Sequence, residues 1–492
     1  MAMSALMSFD FSDEFLSTLR QIKEIPVHFY NREGQILIYK KAHVTDEEID
    51  RLTRFRKSGI YYKSEDTSTL ESALDLQLVE KLIPEGLTDT KLISEKYTDV
   101  LAEETESLFQ QIMRQSLRSE HVMNMSGNLK TLFSDFAGQE DAMTGLVNIL
   151  ELMKSRDNPF DVEMAVKRSV VSMALKTRGM HAADKFKDSP AVRENVSALM
   201  MSSILCDIGC FKMEMPKNAG LSLKQMTYIK KHPFLSYLMI AHEPAIDSKI
   251  KHDVLTHHRP LPFDRNDNNY PNLRALTNRL VELERECGRQ SGKKLIAEDI
   301  RKQLEFFREN RTYREAVNIL SIASEFASLT SDVPWRKSLP AAQAVKCIIN
   351  NSYFTHTPRI MQDFLDYVAI SLCDNEKILD EGDFIVVANE SHDGSAIFEV
   401  CQIESIGRFQ SRPGVRRIAS VRPLCTNVPK LAIKGFDAKS LRIDPRTAHF
   451  ELMKDDTRRI IYVIDPQDKK EFHSLLSIAT RKIFSTPPPD NH

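Results

Sequence analysis

Apolar residues recur at helical spacing through 165–180, 195–206, 224–242, 317–330 and 340–350, and little interrupts that pattern between 158 and 372. Helices patterned this way cover their apolar stripes only against one another, so the stretch is constrained to a helical bundle. Glycine is scarce, 16 in 492 residues, which removes the usual breakers and favours helix. A chain of this length has room for about two to four domains. Both flanks change period.

On the N-terminal side, 1–66 reads as a small α/β module. Ile25–Tyr30 and Gln35–Tyr39 are expected strands around the turn-rich Asn31-Arg32-Glu33-Gly34. A helix opens at Thr45-Asp46-Glu47-Glu48 with a hydroxyl cap and acidic first turn, runs to Lys57 and stops at Gly59, and Ile60-Tyr61-Tyr62 closes the module. Residues 67–155 form a long polar helical stretch. Leu108, Ile112 and Leu117 lie there among charges, which suits either a stalk that pairs with a second copy or a linker packed on the next domain. The helical domain itself covers 156–375. Within it, 273–314 is highly charged and has few apolar residues, as in an inserted excursion or a solvated hairpin. From 376 to 484 the period becomes that of strands, at 383–388, 396–401, 417–421 and 459–463, followed by a helix at 468–483. The proline-rich tail, 485–492, is expected to be disordered.

Charge and composition exclude several classes. A formal net charge of −2 gives no general nucleic-acid or acidic-membrane surface. Seven scattered cysteines read as reduced thiols rather than a disulfide framework. No apolar run approaches the roughly 20 residues that span a bilayer, and the N-terminus lacks a basic leader, so the expected address is cytoplasmic. No glycine-rich phosphate loop or Gly-x-Ser-x-Gly supports a kinase or serine hydrolase.

The chemistry lies in Asp207, His232, His257 and His258. A carboxylate followed at long spacing by a histidine, and then by a histidine pair, is how a bundle gathers oxygen and nitrogen ligands around a divalent metal. Singly each residue has an ordinary structural explanation; adjacent histidines on a helix diverge by about 100° and often form a mere surface pair. Their conjunction with Gly209, Pro233 and Tyr270-Pro271 is harder to meet by accident.

These segments resemble the HD-GYP domains of bacterial cyclic-di-GMP phosphodiesterases. The family's His-Asp-x-Gly-Lys corresponds to Cys206-Asp207-Ile208-Gly209-Cys210, its His-Pro to His232-Pro233, its His-His-Glu to His257-His258-Arg259, and its Gly-Tyr-Pro to Asn269-Tyr270-Pro271. The most specific local match is Ser331-Asp332-Val333-Pro334-Trp335-Arg336-Lys337. The resemblance implies a mainly α fold, an HD-type helical bundle, with a small N-terminal α/β module and a C-terminal β-rich domain. It also implies a cluster of two or three metals and a cyclic dinucleotide ligand.

The departures bear on activity. Cys206 replaces a metal-binding histidine and Cys210 a lysine, Arg259 replaces a glutamate, and Ser324 and Ala327 stand where the family has aspartates. A first-helix histidine expected near 163–167 is absent, and Glu325 faces about 100° away from Ser324 on a helix. The resemblance leaves Asp207, His232, His257 and His258 for one divalent metal, iron or manganese, with Cys206 as a soft fifth ligand, or for no metal at all. Lys217, Tyr270 and Arg336 are the residues expected at a ligand. Two readings result: a non-catalytic regulator or interaction module with an eroded site, working through protein partners, self-association or a cyclic dinucleotide; or an active phosphodiesterase with a reduced metal site.

Overall fold

A computed structural model of the chain describes Leu6–Phe9, most of 24–49, 60–63 and most of 85–485, with the isolated Leu16, Leu19 and Asp66; the longest undescribed stretches in that range are 178–188, 260–269 and 422–440. The chain divides into two units, Met1–Ser94 and Glu95–His492.

The first unit holds β1 (Leu6–Phe9), β2 (Glu24–Ile25), β3 (Phe29–Tyr30), β4 (Ile36–Ile38), β5 (Lys41–Ala42) and β6 (Ile60–Lys63). An antiparallel sheet runs β1-β6-β3-β4, and β2 pairs with β5. The expected strand Ile25–Tyr30 is split, because Pro26 donates no hydrogen bond and the chain bends at Val27. In the expected turn, Asn31 Oδ1 accepts the Gln35 N–H at 2.8 Å and Gly34 adopts φ +76°. Phe9, Phe29, Ile60 and Tyr62 form the core. Of the helix expected from Thr45 to Lys57, Ile49 is helical and most of the rest lies outside the described residues.

The bundle of the second unit is built from the part of α1 (Glu85–Met113) that follows Ser94, with α2 (Ser119–Ala137), α3 (Ala142–Lys154), α4 (Phe160–Thr177), α5 (Pro190–Leu205), α6 (Leu223–Ile229), α7 (His232–Ile240) and α8 (Ser248–Thr256). It continues through α9 (Leu273–Gly288), α10 (Lys294–Glu309), α11 (Glu315–Thr330), α12 (Ala341–Ser352) and α13 (Pro358–Asp363). Helix α5 packs against α4, α2 and α8, and α11 packs against α4. Ser189 caps α5, with Pro190 in its first turn, and every residue from Val196 to Leu205 is buried.

Two segments left open by the sequence take a definite form. Leu108 and Ile112 are buried, and the neighbouring Phe109 ring lies 5.0 Å from Phe211, so this part of α1 is a packed helix and its apolar stripe is already covered within the chain. The charged segment 273–314 is a hairpin, α9 and α10, but not merely a solvated one. Its few apolar residues fall on one stripe: Leu276, Leu280, Ile300, Leu304 and Phe307 form a core with Tyr237 and Leu255.

The β-rich part is an antiparallel sheet in the order β10-β9-β8-β7-β11, from β7 (Phe384–Glu390), β8 (Ala396–Ser405), β9 (Gly414–Val421), β10 (Leu441–Glu451) and β11 (Arg458–Val463). Helix α14 (Lys470–Ser485) closes its core. The Val463 N–H donates to Asn350 Oδ1 at 2.8 Å, which ties β11 to α12. Most of the expected turn at 389–394 and the tail after α14 lie outside the described residues. Among the described residues no helix is long and apolar enough to cross a membrane.

Candidate metal centre

Three helix ends meet at one place. Helix α5 ends at Leu205, Cys206 is its C-cap, and Asp207 begins a short 3-10 turn over Ile208–Lys212. Helix α7 starts at His232, with Pro233 in the first turn where no N–H is needed. Helix α8 ends at Thr256, so His257 and His258 follow immediately. Because α7 and α8 pack on one another, the first residue of one helix meets the residues that follow the last of the other.

Gly209 brings Asp207 to that junction. A Cβ at this position would lie 2.3 Å from His232 O and 2.6 Å from Ser236 N, so only glycine permits the crossing. The Gly209 N–H donates to Ser236 Oγ at 2.8 Å, and Ser236 Oγ donates to Cys206 O at 2.6 Å.

The imidazoles converge through Nε2. His232 Nε2 lies 3.1 Å from His257 Nε2, 3.3 Å from His258 Nε2 and 3.1 Å from Asp207 Oδ1, while His257 Nε2 is 3.7 Å from the same oxygen. His232 Nδ1 sits 2.9 Å from Ile229 O and His257 Nδ1 2.8 Å from Val254 O. Carbonyl oxygens only accept, so each Nδ1 carries the hydrogen and the Nε2 lone pairs point inward. Lone pairs this close are relieved by a shared proton or a metal cation. The three rings present ligand atoms within 4.8 Å of one another, and the 3.1 and 3.3 Å separations suit bonds of about 2.1 Å to a single ion. Tyr270 stacks on His258 at 4.0 Å and 15°, which fixes that ring.

The second oxygen of Asp207 is already taken. Arg168, on α4 and 1% exposed, places Nη2 on Asp207 Oδ2 and donates from Nη1 to Ser203 O at 2.9 Å. Burial opposes ionisation of Asp207, but Arg168, His232 and His257 outweigh it and hold the carboxyl well below its usual range. Burial lowers the His257 imidazole to about 3, with His232 adding to the shift, and lowers His258 well below the ordinary histidine value.

These shifts set a pH dependence for the metal-free protein. The unfolded histidines titrate near 6.5, so between that value and about 3 the unfolded chain binds protons that the folded chain refuses. Stability then falls with pH by up to about 1.4 kcal/mol per unit for each such group. Asp207 adds to this at the acid end, because its stabilisation declines once pH falls below the ordinary carboxylate range and is gone only below its lowered folded value. Thermal melts in chelator should shift steadily downward from pH 7 to 4.5, and a flat profile would contradict the buried neutral imidazoles.

The other expected site residues fall differently. Cys206 Sγ donates back to Ser202 O at 3.0 Å, and burial pushes its thiol up. Arg336 is engaged with backbone carbonyls: its Nη1 donates to Leu329 O at 3.0 Å and Lys337 O at 2.9 Å, and its Nη2 to Ser328 O, closing the 332–337 turn. Lys217 lies outside the described residues. Glu325 meets His356 at 3.2 Å, away from the imidazole cluster. His252 packs on Phe307 at 4.9 Å, and Asp253 pairs with Arg314 at 3.3 Å. The cation at Asp207 is Arg168, a residue the sequence reading did not single out. Its signal was present in the sequence, since Lys167-Arg168 interrupts an apolar run from Val162 to Leu175, and a buried cation demands a carboxylate.

Beside the cluster opens a cavity of about 240 Å³, walled by Phe109, Met164, Ile204, Phe211, Ile229 and Trp335. Asp161 and Ser324 also line it. Ser324 is buried and its hydroxyl has no hydrogen-bond partner.

The sequence matches no protein-family model and no curated protein. Among solved structures it is similar to Bd1817, a HDG"Y"P protein from Bdellovibrio bacteriovorus, with a TM-score of 0.37 and 13% identity over 73% of this chain and 98% of that one. At that level the likeness carries no argument about function.

Proposed function

We propose that this chain is an HD-GYP-like signalling protein of the cyclic-di-GMP phosphodiesterase family whose eroded site no longer turns substrate over, and that it serves as a cytoplasmic regulator or interaction module. The observation that carries the reading is the Arg168 guanidinium on Asp207. Two-metal hydrolysis needs a carboxylate that bridges both ions. Here one oxygen is held by a fixed positive charge, which repels a second cation. Ser324 and Ala327, both buried on α11, add no carboxylate.

What remains fits one ion. Asp207 Oδ1 and the Nε2 atoms of His232, His257 and His258 would hold a single iron or manganese. Such an ion, when bound, supplies Lewis acidity and lowers the pKa of coordinated water. The chain's own contribution is orientation: Ile229 O and Val254 O fix two imidazoles, and Tyr270 fixes the third.

Metal analysis and a hydrolysis assay on the purified protein test this. The expected result is at most one equivalent of divalent metal and no opening of cyclic-di-GMP. Two equivalents, with hydrolysis abolished by His257→Ala, would instead establish an active phosphodiesterase.

A further inference from the structure

The cavity beside the imidazoles has a shape and charge of its own. Its volume, about 240 Å³, exceeds the ~150 Å³ that takes a benzene ring and falls below the ~300 Å³ at which drug-sized sites begin. Three aromatic side chains from separate segments, Phe109, Phe211 and Trp335, stand in its wall, and Met164 supplies a polarisable face. His232, His258 and Asp207, which lie against one another, also line it.

Charge decides what enters. Among the described lining residues there are two carboxylates, Asp161 and Asp207, and one cation, Arg168, which is already committed to Asp207 and Ser203 O. A ligand carrying two phosphates therefore finds no spare counter-charge in this wall. A single anionic head suits the one divalent ion that the imidazoles would hold.

From this we infer that the cavity binds a small aromatic monocarboxylate, with its ring among Phe109, Phe211 and Trp335 and its carboxylate directed to the imidazole cluster. The head group rests on the one-metal reading above; the site for the ring does not.

Trp335 is the only tryptophan in the chain, so its fluorescence reports directly on the cavity. The full chain, loaded with manganese, is titrated with phenylacetate and followed by Trp335 emission and calorimetry. Benzyl alcohol (ring without charge) and inorganic phosphate (charge without ring) serve as controls. Phenylacetate should saturate at one per chain and bind at least about tenfold more tightly than either control. Ser328 lines the cavity and is exposed, so Ser328→Phe narrows the mouth without disturbing the core; it should weaken binding at least about tenfold at an unchanged melting temperature. No saturable response to phenylacetate, or one that Ser328→Phe leaves unaltered, overturns the inference. One bound manganese with a silent phenylacetate titration removes this inference alone. Equal saturation in chelator, with no manganese retained, removes the one-metal reading and keeps the aromatic site.

Discussion

Arg168→Met is expected to destabilise the helical unit by about 3–5 kcal/mol, the usual cost of leaving one partner of a buried ion pair alone. The methionine keeps much of the packing volume of the arginine stem, so the loss is chiefly electrostatic. Asp207 would then have only the imidazoles beside it, with one oxygen unpaired, and Ser203 O would lose the Arg168 donor. Urea unfolding followed by Trp335 fluorescence gives the number. The double variant Arg168→Met/Asp207→Asn removes both charges and should recover a large part of the loss. A single variant within about 1 kcal/mol of the parent would mean that the pair contributes no more than an exposed one.

Gly209→Ala is the second large effect. The new methyl would sit 2.3 Å from His232 O and 2.6 Å from Ser236 N, both backbone atoms, so no side-chain rotation relieves it. The 3-10 turn must lift off α7, at a cost of roughly 3 kcal/mol or more. That movement would draw Asp207 away from His232 and weaken metal retention along with stability. Gly127 is the matched control. It lies within α2 with nothing within 4 Å of a Cβ, so Gly127→Ala should be neutral or stabilising by up to about 1 kcal/mol. Equal melting temperatures for the two alanine variants would refute the close crossing at Gly209.

The helical core and the C-terminal change to strands were legible because their periodicities are strong and long. Asp207, His232, His257 and His258 could be named as one group from their order alone. That they converge depends on helix ends meeting, which no local pattern encodes. Arg168 was not legible as the partner of Asp207 because a cation on a helix is usually solvated, and only the packing of α4 on α5 buries this one beside the carboxylate. The structural part of Arg336 was not legible: an arginine in a motif suggests a phosphate contact, and the carbonyls around the tight 332–337 turn that accept from it are set by backbone geometry. Strand β1 carried no turn signals, and β10 contains Pro445 and a register shift between Ile443 and Ala448 that break its alternation. Segment 273–314 looked solvated because its apolar residues are few; placed on one stripe, they are enough.

The fixed guanidinium on α4 has a consequence for how the protein lives in a cell. Many metalloproteins need their ion to complete the core, so their folded population rises and falls with supply. Here a covalently attached cation already neutralises the central carboxylate, and α4 and α5 are joined through it before any ion arrives. If the imidazole cluster holds the single ion proposed above, its loss would leave the fold standing, and abundance and metal status would be independent variables.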